Sequence, residues 1–142
     1  MKTTATRYAF FTKNFKTNLF NAAHQLARFL SDNNITTLLD IGCGNCKWQQ
    51  NLLTSNIAIT GVDIVPYIAW NKPPFPIFTK DAVCDNIEGN YDAVIIRDVL
   101  QYLPAEDCRR LITNVAKNIS RFIIVNHAED NYTLNAKEHS EY

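Results

Sequence analysis

The sequence predicts an α/β fold, a doubly wound and mainly parallel sheet, on three observations. Strand-length apolar runs alternate with helically spaced apolar residues along the 142-residue chain. The runs at Tyr91–Ile96 and Phe122–Val125 are apolar on both faces, as in parallel strands covered by helices on each side. The run Thr37–Ile41 passes straight into a turn with glycines at alternate positions, Gly42-Cys43-Gly44. Glycines there permit positive φ and let a ligand approach where a Cβ would collide.

The elements follow in order. Residues 14–30 place Phe15, Leu19, Ala22, Ala23, Leu26, Phe29 and Leu30 at helical spacing, and Asn33-Asn34 suits the stop. Tyr8, Phe10 and Phe11 precede this helix and read as a hydrophobic staple; a lid or acceptor-stacking role is the other reading. Thr37–Ile41 is a buried strand. Cys46–Leu53 reads as a helix whose N-terminus faces the glycine turn, with Trp48 as packing. Ile57–Ile64 is a second strand, with Gly61 a local weakness. Four prolines between Pro66 and Pro76 leave room only for a short helical turn. Pro76–Lys80 supplies a short third strand and Tyr91–Ile96 the fourth. Pro104 then suits a helix start, and Cys108, Leu111, Ile112, Val115 and Ile119 form that helix's stripe. Phe122–Val125 is the fifth strand, and the chain is polar after His127.

Composition bounds the classes of function. The chain is expected to be a single domain, with an arm and helix over 1–34, a core over 35–125 and a polar tail over 126–142. It is 46% hydrophobic and 20% charged with zero formal net charge, which disfavours a surface built for non-specific phosphate binding. Lys2, Arg7, Lys13, Lys16 and Arg28 precede the first acid, Asp32, while Glu129, Asp130, Glu138 and Glu141 crowd the other end. Two solvated ends are the preferred reading over a basic RNA-docking arm. No apolar run reaches the ~18 residues of a membrane span, and Met1-Lys2-Thr3-Thr4 lacks a signal-peptide core. A cytoplasmic chain with no membrane partner is expected, its cysteines reduced.

The site is expected to take a nucleoside-containing cofactor. Asp63, about twenty residues beyond the glycine turn at a strand end, is placed to accept from ribose hydroxyls. A dinucleotide fingerprint needs a third glycine where Lys47 stands, which disfavours an NAD-dependent oxidoreductase. Cys43-Gly44-Asn45-Cys46 also fits a thiol–disulfide motif, but that reading leaves Asp40, Asp63 and Asp81 without a purpose. No metal site is expected, because neither Cys84 nor Cys108 has a close Cys or His neighbour.

The pattern resembles the class I S-adenosylmethionine-dependent methyltransferases over roughly residues 35–125. Asp40-Ile41-Gly42-Cys43-Gly44 fits their first motif, an acid, one residue and Gly-x-Gly. Asp63-Ile64 matches the ribose-binding acid and the apolar residue behind it, and Lys80-Asp81-Ala82 the residues that read the adenine edge. Tyr91-Asp92-Ala93-Val94-Ile95-Ile96-Arg97-Asp98-Val99-Leu100-Gln101-Tyr102-Leu103 resembles the fourth-strand motif. The resemblance implies a Rossmann-like core that binds S-adenosylmethionine and releases S-adenosylhomocysteine. It implies cofactor contacts at Asp40, Gly42, Cys43, Gly44, Asp63, Ile64, Asp81, Ala82 and Arg97, with backbone amides at 42–44 and the next helix N-terminus holding the methionine carboxylate.

For the transfer itself, Arg97, Asp98 and His127 stand after the fourth and fifth strands. Asp98 is read as a base or acceptor-orienting group, with capping of the next turn as its structural alternative. Arg97 clamps an anion or forms a surface ion pair. His127 titrates nearest neutrality. Asp92 begins its strand and is expected to be structural. Family members usually continue past the fifth strand with a helix and an antiparallel strand pair, for which residues 126–142 look too short and polar. Two expectations follow from this: a homodimer or partner chain covering the fifth-strand edge, or a truncated form of a longer protein. A small-molecule acceptor is preferred over nucleic acid. The alternative is a non-catalytic cofactor-binding or regulatory subunit of a larger RNA- or protein-methylating assembly.

Overall fold

The computed structural model describes residues 8–10, 19–66 and 74–125. Six strands and two α-helices succeed one another: β1 (Tyr8–Phe10), α1 (Leu19–Asp32), β2 (Thr37–Ile41), β3 (Ala58–Asp63), β4 (Ile77–Thr79), β5 (Ala93–Arg97), α2 (Ala105–Ala116) and β6 (Phe122–Val125). They form one sheet in the order β1-β6-β5-β2-β3-β4, and every strand pairing among the described residues is parallel. From β2 the chain runs outward through β3 and β4, then returns to β5 on the other side of β2. The direction of winding therefore reverses between β2 and β5, and a crevice opens there at the carboxyl ends of the strands.

Strands β2, β3 and β5 alternate their side chains between two apolar layers. Leu38, Ile59, Ala93 and Ile95 pack with Leu26 and Leu30 of α1. Leu39, Ile41, Val62, Val94 and Ile96 pack with Leu111 and Val115 of α2. Both layers exclude water, which is why the strands read as continuous apolar runs. Helix α1 ends where Asn34 takes a left-handed φ of 55°, a conformation asparagine tolerates better than most residues. Pro104 caps α2 rather than occupying its first turn. Asp92 has the structural job expected of it. Its Oδ2 accepts from the amides of Thr36 and Thr37 at 2.8 and 3.1 Å and from the Thr36 hydroxyl at 3.0 Å, tying the start of β5 to that of β2.

Three expectations are corrected. Cys46–Leu53 is not an α-helix; after a turn, Gln49–Ser55 forms a 3-10 helix. Cys46 at φ 57° lies in the left-handed region, which an α-helix starting there cannot contain. Gly61 is a requirement rather than a weakness, since a Cβ on it would lie 2.9 Å from the Cys43 Sγ packed above it. Finally, Tyr8–Phe10 is a strand, and it pairs with the outer side of β6. The edge that motivated a covering partner is thus occupied by the same chain. Phe11 and residues 126–142, including His127, lie outside the described residues.

Candidate functional site

Because β2, β3, β4 and β5 are parallel, their carboxyl ends deliver Gly42, Asp63, Lys80-Asp81 and Asp98 to one side of the sheet. A cleft of about 260 Å³ opens between them. Of the residues singled out in the sequence, Gly42, Asp63, Ile64, Asp81, Ala82 and Asp98 line it together. Ile64 is 65% exposed and Tyr102, across the same cleft, 64%. Two large exposed apolar side chains, in a cleft that also carries Asp63 and Asp81, are suited to a ligand with a flat apolar face.

Asp63 organises the cleft. Its Oδ2 accepts from the Gly44 amide at 2.9 Å and its Oδ1 from the Val65 amide at 2.9 Å. Each carboxylate oxygen retains acceptor capacity for a further donor. The glycine turn itself departs from expectation. Gly42 and Cys43 donate their amides to the Val62 carbonyl at 2.8 and 3.2 Å, and Gly44 donates to Asp63. All three amides expected to receive a carboxylate are therefore engaged within the protein, and no α-helix N-terminus stands behind them. What the turn offers is space. A Cβ on Gly44 would meet nothing within 4 Å, whereas one on Gly42 would lie 2.3 Å from Val99 Cγ2.

Asp40 lies beneath the turn rather than in the cleft, only 1% exposed. Gln49 Nε2 donates to its Oδ2 at 2.5 Å and to the Cys43 carbonyl at 2.9 Å. Burial pushes the Asp40 carboxyl up to about 7, against the lowering influence of the Gln49 hydrogen bond and of Arg97; Asp63 adds to the rise. Its Oδ1 is buried with no hydrogen-bond partner among the described residues. Arg97 holds its guanidinium 5.3 Å from the centre of the Trp48 ring, and its Nε is 3.5 Å from Asp98 Oδ2. Trp48 is core packing, 9% exposed. Cys43 and Cys46 are buried thiols; burial, then for Cys43 its partner thiol, pushes both up, away from the reactive thiolate.

The remaining walls come from loops. Asp81 Oδ1 accepts from the Val83 amide at 2.9 Å, bending the chain after β4. Asn114 of α2 holds that bend from below, donating to the carbonyls of Ala82 and Asp85 at 3.0 and 2.7 Å. Asp98 takes a left-handed φ of 53°, a strained state for a non-glycine residue and one that clusters at functional sites. Its Oδ1 accepts from Gln101 Nε2 at 3.2 Å, tying it to a side chain of the turn Leu100–Tyr102. Gln49, Asn114, Val99 and Tyr102 were not singled out for these roles. Asn114 alone had a legible signal, a polar residue beside the apolar stripe of α2. Among the described residues no cluster of His, Cys, Asp or Glu is arranged to hold a metal, and no helix is long and apolar enough to cross a membrane.

No family model matches the chain, and no curated protein does. Solved structures do. The amino pentose methyltransferase CalS10 of Micromonospora echinaspora, bound to S-adenosylmethionine, superposes with a TM-score of 0.63 at 15% identity, over 74% of this chain and 48% of its own. The N-methyltransferase NodS of Bradyrhizobium japonicum WM9, with S-adenosylhomocysteine, gives 0.57 at 22% identity over 75% and 60%. The magnesium protoporphyrin IX methyltransferase ChlM of Synechocystis PCC 6803, with bound S-adenosylmethionine, gives 0.58 at 24% identity over 74% and 57%. The chain thus spans about half the length of these proteins. It has the Rossmann-like fold of the class I S-adenosylmethionine-dependent methyltransferases.

Proposed function

We propose that the chain binds S-adenosylmethionine and transfers its methyl group to a small-molecule acceptor. The observation that carries this reading is the cleft at the sheet's switch point, which joins Asp63 and Asp81 with the exposed side chain of Ile64 beside a glycine turn. The residues fit the cofactor's adenosine end. Asp63 offers two carboxylate oxygens to vicinal ribose hydroxyls while still holding the turn. Ile64 presents an apolar face to a purine, and Asp81 beside the buried Ala82 accepts from its exocyclic amine. Asp40 lies beneath the turn, so when ionised it favours a cationic amino-acid end through its field rather than by contact. Bound here, the cofactor supplies a methyl group already activated on a sulfonium sulfur. The protein's part is then alignment and exclusion of water, worth up to ~11 kcal/mol in well-oriented reactions.

Asp98 lines the cleft and faces the acceptor side, where its carboxylate orients the acceptor or takes its proton. Arg97, stacked on Trp48, holds that carboxylate by charge. His127 remains a candidate base outside the described residues. The cytosol is the compartment this reading assigns, in keeping with four cysteines that are all free thiols. One observation favours the second reading, a cofactor-binding subunit of a larger RNA- or protein-methylating assembly: the turn amides that would cradle the methionine carboxylate are already engaged.

Calorimetric titration with S-adenosylmethionine, S-adenosylhomocysteine and NAD tests the first step. Saturable binding of the first two and none of NAD is expected. Absence of both would remove the enzyme reading, and methylation of a free acceptor without a partner would remove the second.

A further inference from the structure

Gln49 is fully buried, 0% exposed, and comes from the 3-10 helix that replaces the expected α-helix. Its two amide hydrogens go to acceptors of different origin. One reaches the Asp40 carboxylate at the end of β2, at 2.5 Å; the other reaches the Cys43 carbonyl inside the glycine turn, at 2.9 Å. A planar amide satisfying both at once fixes their relative position. It also selects the oxygen of Asp40 that is left over, because Oδ2 is engaged and Oδ1 is buried without a partner among the described residues. The other groups facing Asp40 are Arg97 from β5, Asp63 from β3 and the thiols Cys43 and Cys46 of the turn. Gln49 is the neutral hydrogen-bond donor in that set.

We propose that Gln49 is the positioning residue of the cofactor site, locking the Asp40 carboxylate against the Cys43 carbonyl so that the floor beneath the glycine turn is held in one geometry. This rests on the cofactor reading above, but the clamp can be measured without any cofactor. A hydrogen bond given to a carboxylate favours its ionised form. Removing the bond must therefore move the Asp40 titration upward.

The experiment follows the side-chain carboxyl carbon of Asp40 by NMR in ligand-free, carbon-13 aspartate-labelled protein, Asp40→Asn providing the assignment. Wild type is compared with Gln49→Met, of similar length but without the donors, and with the smaller, neutral Gln49→Leu, which guards against a Met variant that fails to fold. Expected is an upward move of the Asp40 midpoint by about one pH unit or more in each. S-adenosylmethionine binding at pH 7 should fall about tenfold, its pH dependence following the new midpoint. An unmoved midpoint in both variants overturns the proposal, even if affinity drops, since that pattern is a structural effect alone. A moved midpoint in a protein whose wild type binds neither S-adenosylmethionine nor S-adenosylhomocysteine overturns the cofactor reading and leaves the clamp standing.

Discussion

Gly42→Ala and Gly44→Ala make the same chemical change two residues apart, and their consequences should differ. Both glycines have positive φ, 75° and 57°, so each substitution incurs the left-handed penalty of about 1–2 kcal/mol. The surroundings separate them. The new Cβ at position 44 meets nothing within 4 Å, whereas that at position 42 arrives 2.3 Å from Val99 Cγ2. No real contact is that short, so Val99 must move. Val99 packs against the layer containing Leu39, Ile96 and Leu111, and overpacking of this kind costs about 1–3 kcal/mol more. Gly42→Ala should therefore destabilise by about 2–5 kcal/mol and Gly44→Ala by about 1–2 kcal/mol. Urea unfolding with linear extrapolation resolves the difference. Val99→Ala removes the offending methyl and completes a double-mutant cycle, in which a coupling of about 1–3 kcal/mol is expected. Equal destabilisation by the two alanines, or strict additivity with Val99→Ala, would refute the steric argument. In calorimetry, Gly42→Ala should also weaken S-adenosylhomocysteine binding more than Gly44→Ala, since it reshapes a residue that lines the cleft.

Asp63→Ala should weaken S-adenosylhomocysteine binding by about 1–3 kcal/mol, the range for hydrogen bonds to a charged group; wild-type affinity in calorimetry would remove the ribose assignment. For Asp40, whose folded carboxyl titrates near 7 against the ordinary 3.8, the protonated form is the one compatible with burial. Its stability is fully present below about pH 4 and is lost as pH rises toward 7, by up to ~4 kcal/mol. Denaturation across that range should show the slope, and Asp40→Asn should flatten it. Asp92 has the opposite sign, because amide donors from Thr36 and Thr37 hold its carboxyl below the ordinary value. Asp92→Ala should cost about 1–2 kcal/mol at pH 7 and progressively less as pH falls through the carboxylate range, with cofactor affinity unchanged.

The sheet was legible because its central strands β2 and β5 are buried on both faces. Runs such as Ala93-Val94-Ile95-Ile96 leave no other interpretation once helical stripes alternate with them. The cleft was legible through residues whose chemistry is local, a glycine needing positive φ and acids at strand ends. What escaped depends on partners distant in sequence. Tyr8–Phe10 becomes a strand only because β6 offers it an edge, and nothing in three residues announces that pairing. The α-helix expected over 46–53 failed because Cys46 adopts a left-handed conformation and Gln49 turns inward to meet Asp40. Neither choice is encoded by periodicity. The engagement of the turn amides by Val62 and Asp63 likewise follows from the register of β2 against β3.

The pairing of β1 with β6 also constrains the order of assembly. β1 is made before every other strand of the described sheet, and β6 after all of them, yet each residue of β1 finds its partner only in β6. During synthesis the early strand must wait, unpaired, while β2, β3, β4 and β5 emerge and can join one another. Bringing such distant segments together carries a loop-closure cost and slows the last step relative to the rest. The half of the sheet bearing the cleft walls at β2, β3 and β4 can then form early, while the flank built from the first and last of the described strands closes last. Until β6 arrives, β1 is an unpaired strand, the kind of edge that exposes a folding chain to aggregation.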